Sequence, residues 1–338
     1  MLAARRSPGV SRTSSVRVEA MKVAVTGAGG RTGRLVIKRL LDIQDRQPKL
    51  VSGVVATVRS GDALLKIKSD LPELAVLANS VAVVDVAAAG RAAERGEAPD
   101  PDLAAALKGC DALVIATSGV PEIKKRSIAW MMIAKAIGKK GVRPSFRWKA
   151  GQEPRLVDWF GQKAQIDAAL ASGTIKRVVI VSSMGGTDTE NMLNKIAGGQ
   201  ILQWKRRAEQ YLVEKSAGGK VEFTILHPGG LVDTKGEQRP LAFGVDDALL
   251  KRTKRSIPRD DVARVAVAAA GGNGEALASA FKNKSLDLVC DALAEGEEGA
   301  EGEEARARAA AAAQDLGALA AALAPYDYGI NDCSAFGG

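Results

Sequence analysis

The chain has 338 residues, 46% of them apolar, enough for one large domain or two small ones with a sizeable core. No apolar run reaches the roughly 20 residues that a membrane-spanning helix needs. The net charge of +9, from 48 basic and 39 acidic residues, is moderate and follows no helix or sheet pattern, so it does not indicate a nucleic-acid partner.

The three cysteines, Cys110, Cys290 and Cys333, are far apart and form no Cys-x-x-Cys, which argues against a disulfide framework or a zinc site. His227 is the single histidine, so no metal site with two histidine ligands is possible and none is expected.

Residues 1–20 carry Arg5, Arg6, Arg12 and Arg17 among several serines, with Glu19 as the one acid. An Arg- and Ser-rich, acid-poor start reads as an organelle transit peptide. Val18-Glu19-Ala20 resembles the Val-x-Ala cleavage signature of green-algal chloroplast transit peptides. Chloroplast import follows as the expectation, to the stroma or the thylakoid surface, with mitochondrion or cytoplasm as alternatives. Removing this segment lowers the net charge to +6.

From Met21 onward strands and helices alternate. Lys22–Thr26 is a short apolar strand, Gly27–Gly33 a glycine-rich turn, and Arg34–Ile43 has helical spacing of apolar residues. Leu50–Val58 is a second β-branched run. Further buried-strand candidates are Val81–Val86, Ala112–Thr117, Arg177–Ser182, Glu222–Leu226 and Ser285–Val289. Helical stretches at Pro101–Lys108, Val157–Ala171, Ile201–Ser216 and Asp260–Ala270 fall between them. Strands that are apolar throughout and alternate with helices predict an α/β fold: a doubly wound parallel sheet covered on both faces, in a single domain over residues 21–291. Residues 118–157 form an insert too long for an ordinary loop. Residues 292–338, an acid-and-glycine run and then an alanine-rich stretch, read as a low-complexity tail.

The turn Thr26-Gly27-Ala28-Gly29-Gly30-Arg31-Thr32-Gly33 follows a strand and opens a helix, the context a dinucleotide-binding loop requires. Gly27 permits the sharp turn, Gly29 and Gly30 let the backbone approach a pyrophosphate, and Gly33 lets helix and strand pack. Free N–H groups at the helix start, at Arg31 and Thr32, favour phosphate, and the Arg31 side chain could also reach one. No acid lies between Asp45 and Asp62 to hold a ribose 2′-hydroxyl. Arg59-Ser60 stands there instead, suited to a 2′-phosphate, so NADP(H) is expected in preference to NAD(H).

On these segments, together with Val58–Ser60, Cys110–Val120, Val157–Ala169 (with its specific motif Asp158–Lys163), Val179–Thr187 (with Ser183–Thr187), Trp204–Leu212 and Pro258–Ala263, the chain resembles the atypical short-chain dehydrogenase/reductases of the NAD(P)-binding, NmrA-like kind. It is similar to small plant plastid-type NADP-binding proteins of that group. The resemblance implies a Rossmann fold with NADP along the C-terminal strand edge. It also implies adenine contacts at Asp85 and Val86, and contacts near the nicotinamide ribose at Thr117 and Ser118. Members of the superfamily pair a strand-end serine with Tyr-x-x-x-Lys on the next helix, the tyrosine moving the proton and the lysine holding the ribose. Ser182 and Ser183 end a strand here. The resemblance places the lysine at Lys205, which puts Ile201 at the tyrosine position. Tyr211 and Lys215 match the spacing but lie about 15 Å further along the helix, so Tyr211 is read as a packing residue with its hydroxyl near water.

With the usual relay missing, two readings stand. One is an NADPH-dependent reductase of a planar small-molecule acceptor such as a quinone or flavin. The other is a non-catalytic NADP(H)-sensing or scaffolding protein at a plastid membrane or complex. His227, before Pro228-Gly229-Gly230, is the candidate substitute proton donor beside Ser183 and Lys205. The 118–157 insert holds ten basic residues against two acids, with Trp130, Phe146 and Trp148. It should act as a lid over the cofactor. Its apolar stretch Ser127–Ile137 could instead meet an anionic membrane surface or an acidic protein.

Overall fold

The computed structural model describes residues 20–77, 80–139, 141–290 and 314–337. Residues 1–19 of the proposed transit segment 1–20, and residues 291–313 with the acidic run, lie outside the described residues. The strands are β1 (Met21–Thr26), β2 (Val51–Val58), β3 (Val81–Val83), β4 (Ala112–Ile115), β5 (Pro121–Ile123), β6 (Phe146–Trp148), β7 (Arg177–Val181), β8 (Glu222–Pro228), β9 (Gly230–Val232), β10 (Leu241–Gly244), β11 (Ser256–Pro258) and β12 (Lys284–Cys290). The helices are α1 (Arg31–Arg46), α2 (Gly61–Asp70), α3 (Pro72–Val76), α4 (Val86–Glu94), α5 (Pro101–Leu107), α6 (Lys125–Ala136), α7 (Gln162–Ser172), α8 (Met192–Lys195), α9 (Ile201–Ser216), α10 (Arg259–Ala270), α11 (Glu275–Ala280) and α12 (Leu316–Ala321).

Eight strands make one sheet in the order β10-β12-β8-β7-β4-β1-β2-β3. All neighbours run parallel except the edge pair β10 and β12. The chain winds outward from β1 to β3, crosses back to β4, and then winds the other way. This is the Rossmann order, and its switch point lies between β1 and β4. Alternate residues of each strand serve opposite faces. Val23, Val25, Val179 and Val181 meet the α1 and α10 side, where Val36, Ile37, Leu40 and Leu41 sit at helical spacing. Ala24, Leu113, Ile115, Val178 and Ile180 meet α5, α7 and α9 through Leu103, Leu107, Ile166 and Leu212. Filling both faces requires strands that are apolar at every position, as the sequence has them.

Four features depart from the sequence reading. The third strand ends at Val83 rather than Val86, because Asp85 caps α4 by accepting from the Ala87 and Ala88 N–H groups at 3.0 and 3.2 Å. The predicted helix from Val157 starts as a π-helical turn, Arg155–Gly161, before α7. The antiparallel strand β10 carried no periodic signal.

The fourth departure is the largest: residues 314–337 are no free tail. Leu316 and Ala320 enter the core on the α10 side. The following segment crosses to the other face and lies along α9. There Arg206 is fully buried, its guanidinium over the rings of Tyr326 and Tyr328 at 5.5 and 4.9 Å. It also donates to the carbonyls of Asp327, Ile330 and Asn331. The tail reading is corrected for these residues: Leu316 and Ala320 are buried in the core, and the half-buried Tyr326 and Tyr328 pack on Arg206, a pairing that apolar periodicity does not detect.

Candidate active site

The phosphate loop, Gly27–Gly30, joins β1 to α1 at the switch point. Gly27 has φ +71°, and a Cβ there would sit 2.6 Å from the Ala116 carbonyl oxygen. At Gly33 a Cβ would sit 2.3 Å from the Gly27 carbonyl oxygen. These two glycines therefore hold β1, β4 and α1 in contact, and larger residues would force them apart. Arg34 is the first residue of α1 whose N–H closes a helical bond, to Gly30. The N–H groups of Arg31, Thr32 and Gly33 thus make a helix N-terminus open to an anion.

Beside the loop lies a cavity of about 300 Å³. Gly27, Gly29 and Gly30 form one wall, and Thr57, Val58 and Arg59 from the end of β2 form another. Asp85 and Val86, then Thr117 and Ser118 after β4, line the floor, and Gln152 and Val157 close it from the insert. Eight expected cofactor residues thus meet in one cavity although they come from four segments. Arg59 is exposed at its rim and makes no ion pair among the described residues. Ser60 sits outside the lining and caps α2, its Oγ accepting from the Ala63 N–H at 3.3 Å, which leaves the hydroxyl proton free. Arg31, Thr32 and Gly33 also lie outside the lining. The Arg31 side chain turns to Asp233 at 2.6 Å, and Asp233 in turn holds Arg259 at 2.6 Å. A larger open depression of about 600 Å³ on the other side of Gly29 has these arginines in its wall, already paired with carboxylates.

The floor is fixed by polar side chains from the π-helical turn and α7. Gln165 Nε2 donates to Thr117 Oγ1 at 3.3 Å, and Gln162 Nε2 to the Thr117 carbonyl at 3.4 Å. Asp158, fully buried, accepts the Gly119 N–H at 2.9 Å and pairs with Lys205 Nζ at 2.8 Å. Lys205 is therefore engaged one turn beyond Ile201, its ammonium tied to the backbone that follows Ser118. Asp158 opens the Asp158–Lys163 motif, but nothing in a single sequence marks it as the counter-ion of Lys205.

The remaining catalytic expectations change most. Ser183 Oγ donates to the Met184 carbonyl at 3.1 Å. Its neighbour Ser182, buried, donates to Glu209. Glu209 Oε2 accepts from His227 Nε2 at 3.0 Å, and His227 Nδ1 lies 3.5 Å from Asp287 Oδ1. Burial opposes charge on the imidazole, but the Glu209 and Asp287 carboxylates outweigh it and hold its pKa up to about 10. Burial raises the Glu209 carboxyl, yet His227 and the Ser182 hydroxyl bring it below its ordinary value. His227 is 1% exposed and is covered by the Tyr326 ring at 4.7 Å. As the candidate proton donor it is corrected: its ring is clamped between Glu209 and Asp287 and is absent from the cavity lining. Tyr211 packs against the core as expected, edge-on to Trp159, and its hydroxyl donates to Asp167 at 2.5 Å.

The 118–157 insert covers the cavity only at its foot. Strands β5 and β6 pair as an antiparallel ribbon, and Trp148 packs over Gly199, just before α9. From this ribbon α6 projects with exposed Trp130, Met132 and Ile133. Among the described residues no helix is long and apolar enough to cross a membrane, and no cluster of metal ligands occurs.

The family described as NAD(P)H-binding matches residues 27–273. The chain is 40% identical over 265 residues to an uncharacterised chloroplastic protein of Arabidopsis thaliana, covering 78% of this chain and 70% of that one. It is 35% identical over 277 residues to sanguinarine reductase of Eschscholzia californica, covering 79% of this chain and 88% of that one. A solved Rossmann-fold NAD(P)-binding family protein from Shigella flexneri is similar at 17% identity, with 84% of this chain and 98% of that one covered and a TM-score of 0.49.

Proposed function

The chain belongs to the NAD(P)H-binding family of Rossmann-fold, short-chain dehydrogenase/reductase-like proteins, and from that premise we propose that it is an NADPH-dependent reductase of a planar, quinone- or flavin-like acceptor, working without a catalytic tyrosine. The observation that carries the cofactor half is the single cavity uniting Gly27, Gly29, Gly30, Arg59, Asp85, Val86, Thr117 and Ser118. Side-chain-free backbone at the loop and the open start of α1 fit a pyrophosphate. Arg59 and Ser60 fit a 2′-phosphate and support NADP(H) over NAD(H). The relative named as a reductase supports the reaction class. The chloroplastic relative and the Arg- and Ser-rich start support a chloroplast location.

A reduced nicotinamide, when bound, supplies a hydride. The chain's own part is to bind and orient. The Asp158–Lys205 pair holds the backbone after Ser118, and Gln162 and Gln165 hold Thr117. Ile201 at the head of α9 offers no proton, and Ser182 is committed to Glu209. An acceptor that takes a hydride and then a proton from water suits this arrangement. The same commitment of Ser182 favours the second reading, a protein that senses NADP(H) without turning anything over.

Mixing the chain from Met21 onward with NADPH and a panel of quinones, flavins and enals, and following the loss of NADPH absorbance, separates the two. Turnover of a quinone or flavin is expected. Tight NADPH binding with no turnover of any acceptor would leave the sensor.

A further inference from the structure

Helix α6 presents an apolar face to solvent. Ile128, Met132 and Ala136 recur every fourth residue, and Ala129 and Ile133 form the adjacent row behind Lys125, so these five share one side with that lysine at its N-terminal end. Met132 is 66% exposed and Ile133 54%, and Trp130 on the helix flank is 52% exposed. The one buried residue of the helix, Ala134, faces the other way. An outward stripe of this kind costs free energy in water and marks a surface that meets something apolar.

The charges around it indicate what that is. From Lys124 to Lys149 the sequence contains no acid. Lys124, Lys125 and Arg126 stand at one end of α6, and Lys135, Lys139 and Arg143 at the other. Lys139 reaches back over the Trp130 ring at 5.7 Å. Long cationic side chains at both ends of an apolar helix face can rest at the level of lipid headgroups while the apolar face enters the acyl boundary.

We propose that α6 docks this protein on an anionic lipid bilayer, with Met132 and Ile133 entering the interface and the flanking lysines and arginines meeting the headgroups. The helix is too short to span the bilayer, so the attachment is peripheral and reversible. The β5–β6 ribbon also carries the foot that closes the cofactor cavity, through Gln152 and Val157. Docking therefore sets the cavity close to the membrane surface. The proposal stands whether or not the protein turns over an acceptor.

The test is co-sedimentation of the full chain with vesicles of phosphatidylglycerol and phosphatidylcholine in equal parts, against pure phosphatidylcholine. Binding to the anionic vesicles alone is expected, weakening as salt rises from about 0.05 to about 0.5 M. The double variant M132E/I133E, whose positions are exposed, should bind at least about tenfold more weakly while keeping the parent's NADPH affinity. Failure of the parent to sediment with anionic vesicles at low salt would overturn the proposal. So would equal sedimentation of the double variant. Retention on immobilised polyglutamate without binding to vesicles would assign the surface to an acidic polypeptide instead.

Discussion

Replacing Asp158 with alanine probes the buried pair beneath the cavity. Asp158 is 0% exposed and Lys205 5%. The substitution removes both engagements of the carboxylate, the Lys205 ammonium at 2.8 Å and the Gly119 N–H at 2.9 Å. It leaves a buried cation without counter-charge, which costs about 3–5 kcal/mol. The orphaned amide adds about 1–3 kcal/mol, and movement of the lysine stem toward solvent recovers part of the sum. A net loss of about 3–5 kcal/mol is expected. Urea denaturation followed by far-ultraviolet circular dichroism measures it, with an unchanged slope confirming a two-state comparison. Because Gly119 follows Ser118 in the cavity floor, NADPH affinity measured by calorimetry should fall with it. Asp158→Asn keeps the volume and one acceptor and should lose less. A loss under about 1 kcal/mol for Asp158→Ala, as a solvent-screened surface pair would give, would refute the reasoning.

Three further predictions concern other parts of the chain. Arg59→Glu removes a charge-assisted contact worth about 1.5–3 kcal/mol, so NADPH should bind roughly ten- to a hundredfold more weakly while NADH is unaffected; an unchanged NADPH-to-NADH affinity ratio in fluorescence titrations would defeat that role. His227 has its pKa raised to about 10 in the fold. Its contribution is therefore complete below the unfolded value of about 6.5 and is lost as pH rises through about 10. Melting curves across that window should fall for the parent, by on the order of a few kcal/mol, and stay flatter for His227→Gln; parallel curves would place the titration on another group. Arg206→Met deprives three carbonyls and two tyrosine rings of their cation. Chymotrypsin should then cut at Tyr326 and Tyr328 under conditions that spare the parent, and stability should drop by about 3 kcal/mol. Equal resistance would show that the C-terminal segment is held by other contacts.

The halves of the molecule differed in how much the sequence revealed. The β1–α1–β2 unit was readable because each signal acts locally. Val23 to Val25 make a buried strand, Gly27 and Gly33 serve contacts that admit no side chain, and Val36, Ile37, Leu40 and Leu41 have helical spacing. Of the cavity, the glycine loop and Arg59 were readable locally, whereas Asp85, Val86, Thr117 and Ser118 were placed by the family resemblance; they meet there because the C-terminal ends of parallel strands converge where the winding reverses. The packing of Tyr326 and Tyr328 on Arg206 was not readable. Apolar periodicity shows which face of α9 is buried, but it does not show that a cation inside will be met by carbonyls more than a hundred residues away. The partnership of Asp158 with Lys205 was hidden likewise, because each residue alone looks like an ordinary surface charge.

The polar groups near the end of β7 bear on which acceptors the proposed reductase could use. In a relay of the usual kind, a serine hydroxyl and a tyrosine face the substrate, and the proton reaches a carbonyl oxygen as hydride arrives at its carbon. Here the proton of Ser182 is donated to Glu209, and the clamped His227 keeps Glu209 ionised. His227 holds a proton but lies under Tyr326 with both ring nitrogens facing carboxylates. Reducing a simple ketone would create an alkoxide with no donor at hand. A quinone or an oxidised flavin accepts a hydride to give a delocalised anion that is stable long enough to collect its proton from water. On the proposed reading, simple ketones should therefore be far poorer acceptors than quinones. Turnover of a simple ketone at a rate matching a quinone would require a proton donor that the Ser182–Glu209–His227 arrangement does not provide.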